Sequence, residues 1–208
     1  KGIENKEKKV VVIHNGVLRS LKKFPQKKKE IIFVGRIVKE KGVHLFVDAI
    51  KDVYSELNEW SFKIIGSVKL GNNIHYNNYS KQVIENFDRL GERTEFKGYL
   101  SQIKLSKILK DASIIVIPSL WKEPFGLVAA EAMANGIAVI SSRSGGLEEI
   151  VNKNGILIDN IDSKKIVSSI LKLTRHKDQL LKYQKLSWEN HKFTSKSSSV
   201  KLDELRKS

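Results

Sequence analysis

The strongest constraint on the fold is a series of short, mostly apolar runs, each closed by a turn signal and followed by helical spacing. IIFV at 31–34, SFKII at 61–65, SIIVIP at 113–118, IAVI at 137–140 and GILI at 155–158 have this form, and Phe96 marks a shorter run leading to Gly98. Strands that are apolar throughout are covered on both faces, as parallel strands are. Between the runs, Val43, Phe46, Val47, Ile50, Val53, Tyr54 and Leu57 recur at helical spacing, which starts a helix near Gly42. Further helices are predicted over 79–90, from Ser101 as N-cap to 111, and over 164–174 behind Asp162 or Ser163. Six strands alternating with helices specify an α/β fold, a doubly wound, Rossmann-like parallel sheet, by the right-handed crossover rule.

The chemistry concentrates in SLWKEPFGLVAAEAMANG at 119–136. Pro124 suits the first turn of a helix, Phe125, Val128, Ala129, Ala132 and Met133 form one core-facing stripe, and Gly136 supplies the stop. Glu123 and Glu131 would then stand about 12 Å apart along the axis. The free N–H groups of the first turn, near Phe125, Gly126 and Leu127, would lie between them. Such a terminus binds phosphate, and Gly126 lets a ligand approach the backbone.

Gly35 and Arg36 follow the strand at 31–34, and Lys41 precedes the next helix. This is the kind of loop at which open α/β sheets bind ligands. The absence of G-x-G-x-x-G argues against a dinucleotide site, whereas two cations suit a diphosphate. Asp-x-Asp, Gly-x-Ser-x-Gly and any ligand spacing among the five histidines are also absent. A metal-dependent transferase, a metallohydrolase and a hydrolase nucleophile elbow are therefore disfavoured. A net charge of +15 reflects scattered lysine, and the basic runs lack the interleaved aromatics of a nucleic-acid platform. The expectation is no specific nucleic-acid binding and, at most, peripheral contact with anionic membrane. Cysteine is absent, so disulfides are excluded.

The stretch from Glu123 to Glu131, with EAMANGIAVI behind it, resembles the "Glu, seven residues, Glu" motif of the retaining glycosyltransferases of the group 1 (family 4) type, which have the two-domain GT-B fold. The resemblance runs from about 10 to 175 and implies the C-terminal, donor-binding half of such an enzyme. An Asn-Gly-Val stretch like that at 15–17 lies, in the family, where the chain crosses from the first domain. It follows that 1–23 are expected to be a linker remnant with a short strand at 10–13 and a turn at 14–17. Residues 24–175 would form the nucleotide-sugar-binding domain and 176–208 a helical tail.

The resemblance further implies that Arg36 and Lys41 stabilise the departing diphosphate, Glu123 orients donor hydroxyls and Glu131 binds ribose. Phe125, Gly126 and Leu127 would hold phosphate and sugar, and Tyr99, after the strand at Phe96, would lie under the base. No metal or other cofactor is expected. The donor leans to UDP-glucose or UDP-N-acetylglucosamine, and the acceptor to a surface glycan or lipopolysaccharide at the cytoplasmic face of a membrane. Trp188 and Phe193 resemble the family's last helix, which folds back across the first domain, so exposed apolar positions are expected there and near 14–16. With that half absent, the chain should bind donor without transferring sugar. A nucleotide-sugar epimerase of the same architecture and a basic membrane or nucleic-acid adaptor are the alternatives.

Overall fold

The computed structural model describes residues 11–19, 21–70, 73, 74 and 77–207. In chain order it builds β1 (Glu30–Val34), α1 (Val43–Val53), β2 (Ser61–Ile65), a two-residue hairpin of β3 (Lys69–Leu70) and β4 (Asn73–Ile74), α2 (Asn78–Asp88), β5 (Thr94–Gly98) and α3 (Gln102–Asp111). The second half adds β6 (Ile114–Ile117), α4 (Leu127–Ala134), β7 (Ala138–Ser142), α5 (Gly146–Val151), β8 (Ile156–Ile158), α6 (Ser163–Arg175), α7 (Lys177–Glu189) and α8 (Ser195–Lys207).

The six predicted strands form one parallel sheet in the order β5-β2-β1-β6-β7-β8. Alternate residues face opposite layers, as the pleat requires. Ile31, Phe33, Phe62, Ile64, Ile114 and Val116 pack with Phe46 and Ile50 of α1, Phe87 of α2 and Ile166 and Ile170 of α6. Ile32, Ile115, Ile117 and Val139 face Leu109 of α3, Ala129 and Met133 of α4 and Leu147 and Ile150 of α5. The chain leaves β1 toward one edge and β6 toward the other. A crevice therefore opens where those two neighbours end, at the topological switch point.

Gly42 joins the two loops at that point. Its φ is +67°, and a Cβ there would sit 1.9 Å from the Pro118 carbonyl oxygen. Only glycine adopts this conformation and also permits the approach. The short 3₁₀ turn before it, Lys39–Lys41, is tied to the loop after β6 by Leu120 N–H donating to the Glu40 carbonyl at 2.8 Å.

Two expectations need correction at the N-terminal end. Residues 11–13 form no strand, and Val10 lies outside the described residues. Val12 is exposed and has no strand edge to pair with; the pairing occurs instead at a single bridge from Val17 to Thr194. No turn forms at 14–17, because Val17 N–H donates to the Phe193 carbonyl at 2.9 Å and is held extended. Between β2 and α2, where the sequence offers only a polar stretch, lies the β3–β4 hairpin, and 71, 72, 75 and 76, with His75 among them, lie outside the described residues.

Trp188 and Phe193 are also not laid bare for another domain. Trp188 packs edge-on against Phe24 at 5.9 Å beneath the Arg19 guanidinium, and Phe193 packs edge-on against Phe125 at 5.4 Å and His14 at 5.3 Å. These rings cover one another because α7 returns across α4 and β7. The exposed apolar side chains expected in this region are instead Val11, Val12 and Leu18, Leu181 on α7, and on α8 Val200, Leu202 and Leu205.

Between α7 and α8, His191 is buried, and burial, reinforced by the charge of Arg19, pushes its imidazole down to about 4 from an ordinary 6.5. The neutral form is the folded one, so this contribution to stability is complete above pH 6.5 and is lost as pH falls toward 4. Chemical unfolding across that window should show a loss of about 3 kcal/mol that His191→Gln removes. Identical slopes for parent and variant would contradict this placement of the ring.

Candidate functional site

Side chains from three loops meet at the crevice. Its cleft, about 300 Å3 in volume, is lined by Gly35 and Arg36 after β1, Lys41 before α1, Glu123, Gly126, Leu127 and Val128 before and within α4, and Leu147 of α5. A cleft of this size, mostly apolar with a few convergent charges, has the general form of a small-molecule site.

At its centre Lys41 Nζ lies 2.5 Å from Glu123 Oε1, and the buried Ser119 hydroxyl donates to the same oxygen at 2.7 Å. The Lys41 ammonium also stands 5.1 Å from the centre of the Trp121 ring. Burial alone would raise the Glu123 carboxyl. Hydrogen bonds from Lys41 and Ser119, the charge of Lys41 and a hydrogen bond from Trp121 outweigh it, and the net shift is downward. Glu123 is thus an ionised, oriented carboxylate. Arg36 is exposed on the cleft wall and, among the described residues, makes no ion pair or hydrogen bond, so it is the cation available to an anionic ligand.

The local backbone departs from the sequence expectation. The helix begins at Leu127, not at Pro124, because Gly126 takes φ +101° and serves as its N-cap. A Cβ on Gly126 would meet the Leu147 side chain at 2.7 Å. Glu123 therefore stands on the preceding loop, and no axial spacing along one helix separates it from Glu131. The free amides of the first turn belong to Leu127 and Val128, not to Phe125. The loop is backed by the glycine turn before α5, where Gly146 N–H donates to the Glu123 carbonyl at 2.7 Å. A Cβ on Gly145 would lie 2.3 Å from that oxygen.

Of the expected site residues, Gly35, Arg36, Lys41, Glu123, Gly126 and Leu127 share the cleft. Phe125 does not; its ring is turned into the cluster with His14 and Phe193. Glu131 stands one turn beyond Leu127 and accepts from Gln102 Nε2 at 3.0 Å. Burial raises its carboxyl, against the opposing effect of that hydrogen bond. Gln102 opens α3 directly after the loop carrying Tyr99, which is 76% exposed, so Glu131 and that loop are neighbours outside the cleft walls. Ser119, Trp121 and Gln102 were not singled out from the sequence. The one signal was Ser119 standing four residues before Glu123 at the end of a strand. Among the described residues no group of three or more His, Cys, Asp or Glu side chains could hold a metal ion, and no helix is long and apolar enough to cross a membrane.

A doubly wound sheet with this cleft at its switch point defines a Rossmann-like binding domain. The chain belongs to the family of glycosyl transferases group 1, which it matches over residues 17–192. It is 34% identical over 200 residues to an uncharacterized glycosyltransferase of Methanocaldococcus jannaschii, covering 94% of this chain and 51% of the relative. It is 27% identical over 172 residues to the lipopolysaccharide 1,2-N-acetylglucosaminetransferase of Salmonella typhimurium, covering 77% and 45%. Among solved structures, HepE of Anabaena in complex with UDP and glucose superposes with a TM-score of 0.74 at 21% identity, over 87% of this chain and 48% of that one, which shows the shared GT-B architecture. The chain spans about half the length of the curated relatives it matches.

Lys41→Met would leave the Glu123 carboxylate buried without its counter-charge. Its titration, followed by carboxyl-carbon NMR, should move upward relative to the parent, and stability at neutral pH should fall by about 1–3 kcal/mol. An unshifted titration in the variant would show that the pair is not formed.

Proposed function

We propose that this chain is the donor-binding, C-terminal half of a retaining hexosyltransferase that takes a nucleoside diphosphate sugar. The observation that carries the proposal is the Lys41–Glu123 pair, fixed beside the exposed Arg36 and the free first-turn amides of α4 in one cleft. Arg36, with the Leu127 and Val128 amides, would hold the diphosphate, and Lys41 would stand between it and Glu123. Glu123, already ionised and oriented, would accept hydrogen bonds from donor sugar hydroxyls.

Glu131 would take the ribose diol, with the base over the backbone of the Tyr99 loop. The raised carboxyl of Glu131 fits a group that gains donors when a ligand arrives. In the transfer, the bond from the anomeric carbon to the diphosphate oxygen breaks, with its electron pair passing to the departing oxygen. The acceptor hydroxyl oxygen bonds to the anomeric carbon on the same face and its proton leaves to the departing phosphate. Stabilising that leaving group in a dry cleft is the protein's main contribution. No divalent ion is required, since side-chain cations and a helix N-terminus supply the positive field.

UDP is the favoured nucleotide and glucose or N-acetylglucosamine the favoured sugar. The reading draws support from the UDP and glucose of the Anabaena complex and from the name of the Salmonella relative. That relative also supports a lipopolysaccharide-type or other surface-glycan acceptor, and the lysine-rich surface is compatible with peripheral contact at an anionic membrane.

Calorimetry against UDP-, GDP- and ADP-sugars in the presence of chelator should give binding with a preference for UDP. A requirement for Mg²⁺ or Mn²⁺ would overturn the proposal. Glu131→Ala should weaken UDP and UDP-sugar alike by about 1–3 kcal/mol, whereas Glu123→Gln should weaken the sugar conjugate more than bare UDP. Equal affinities of parent and Glu131→Ala would remove Glu131 from the site.

A further inference from the structure

Trp121 lies in the loop between β6 and α4. Its side chain is 41% exposed and, among the described residues, joins neither apolar layer of the sheet, so the indole adds little to the core. Its main chain is nevertheless fixed. The Trp121 carbonyl accepts from the Ser144 hydroxyl at 2.5 Å, and the amide of Leu120, the residue before it, donates to the Glu40 carbonyl at 2.8 Å. The ring is therefore held in place without being buried.

What the ring touches is the central pair of the cleft. The Lys41 ammonium stands 5.1 Å from the ring centre, within the distance at which the negative face of an indole attracts a cation. The Trp121 side chain also hydrogen-bonds to Glu123 and helps to keep that carboxylate ionised. Lys41 and Glu123 are themselves 2.5 Å apart, with 20% and 10% of their side chains exposed. The three side chains close a triangle, in which the indole meets the cation with its face and the anion with its N–H.

This arrangement matters when a second anion arrives. A diphosphate entering the cleft competes with Glu123 for the Lys41 ammonium, and an ammonium that followed the phosphates outright would leave the carboxylate without one of its orienting donors. The ring opposes that displacement, because a cation leaving its face loses the attraction. We propose that Trp121 is a positioning residue, which keeps Lys41 on Glu123 while phosphate is bound and so keeps the carboxylate aimed at the donor sugar. It acts through those two side chains and need touch no ligand atom. The inference rests on the donor-binding reading for the identity of the ligand, and on the triangle alone for the positioning.

Calorimetry with UDP and with UDP-glucose, on the parent, Trp121→Phe and Trp121→Leu, tests the ligand side. In Trp121→Leu the ratio of UDP-glucose to UDP affinity should fall about three-fold or more, with UDP bound as tightly as by the parent or more tightly, since the freed ammonium can follow the phosphates. Phenylalanine keeps a ring face for the ammonium, so Trp121→Phe should retain most of the ratio. A merely structural tryptophan would weaken both ligands together. The geometry is read separately by NMR: ring current should shift the Lys41 ε-methylene protons upfield in the parent and in Trp121→Phe, with and without UDP, but not in Trp121→Leu, where the Glu123 titration should also move upward. An equal ratio in all three proteins, a parallel loss of both affinities, or a parent Lys41 resonance without the ring-current shift would each overturn the inference. If neither ligand binds the parent, the donor reading fails, and the Lys41 resonance and the Glu123 titration still decide whether Trp121 positions the pair.

Discussion

The site depends on one close approach, that of the Gly42 backbone to the Pro118 carbonyl. It draws the loop after β1 onto the loop after β6, two strands that are neighbours in space but separated in sequence by three crossovers. Lys41, the residue before that glycine, is thereby set against Glu123, 82 residues away. A side chain at position 42 would push the loops apart, and the ion pair, the ordered Glu123 and the cleft between them would be lost together.

The same economy of backbone runs through the rest of the site. Gly66 allows the end of β2 to pass the Gly35 carbonyl, and Gly145 and Gly146 allow the turn before α5 to press on the loop from Glu123 to Phe125. Each permits a main-chain contact that any Cβ would block, so the cleft is shaped by backbone and only its chemistry is supplied by side chains. Preorganisation of this kind matters where charge must be met without the protein reorganising.

Much of the fold was legible because buried parallel strands read as unbroken apolar runs. Ile31 to Val34 and Ile114 to Ile117 are apolar at every position and are covered on both faces. The start of α4 was misread for a physical reason: Pro124 is well suited to a first turn, but a tertiary contact between Gly126 and Leu147 moves the helix on to Leu127. That helix is buried at Ala129, Ala130, Ala132, Met133 and Ala134, which is wider than the single stripe its spacing suggested. Long-range pairings left less trace. Lys27 sits in what looks like a solvated basic run, yet its ammonium donates to the carbonyls of Lys110 at 2.9 Å and Asn135 at 2.7 Å, joining the ends of α3 and α4. Burial lowers it to about 7, against the opposing charge of Asp111. The candidate residues themselves were mostly visible, since six of them share the cleft, but their division of labour was not. Lys41 is engaged by Glu123, and Arg36 remains the open cation.

The central claim is that a nucleoside diphosphate sugar lies across the switch point, with its phosphates between the Arg36 loop and the first turn of α4 and its nucleoside toward Glu131. Mapping UDP-glucose onto the assigned amide spectrum of residues 1–208 tests this most directly. The account predicts the largest shifts at 35–42 and 126–129, with a second group at 98–102. Saturable binding whose shifts fall elsewhere, or none at all, would contradict it.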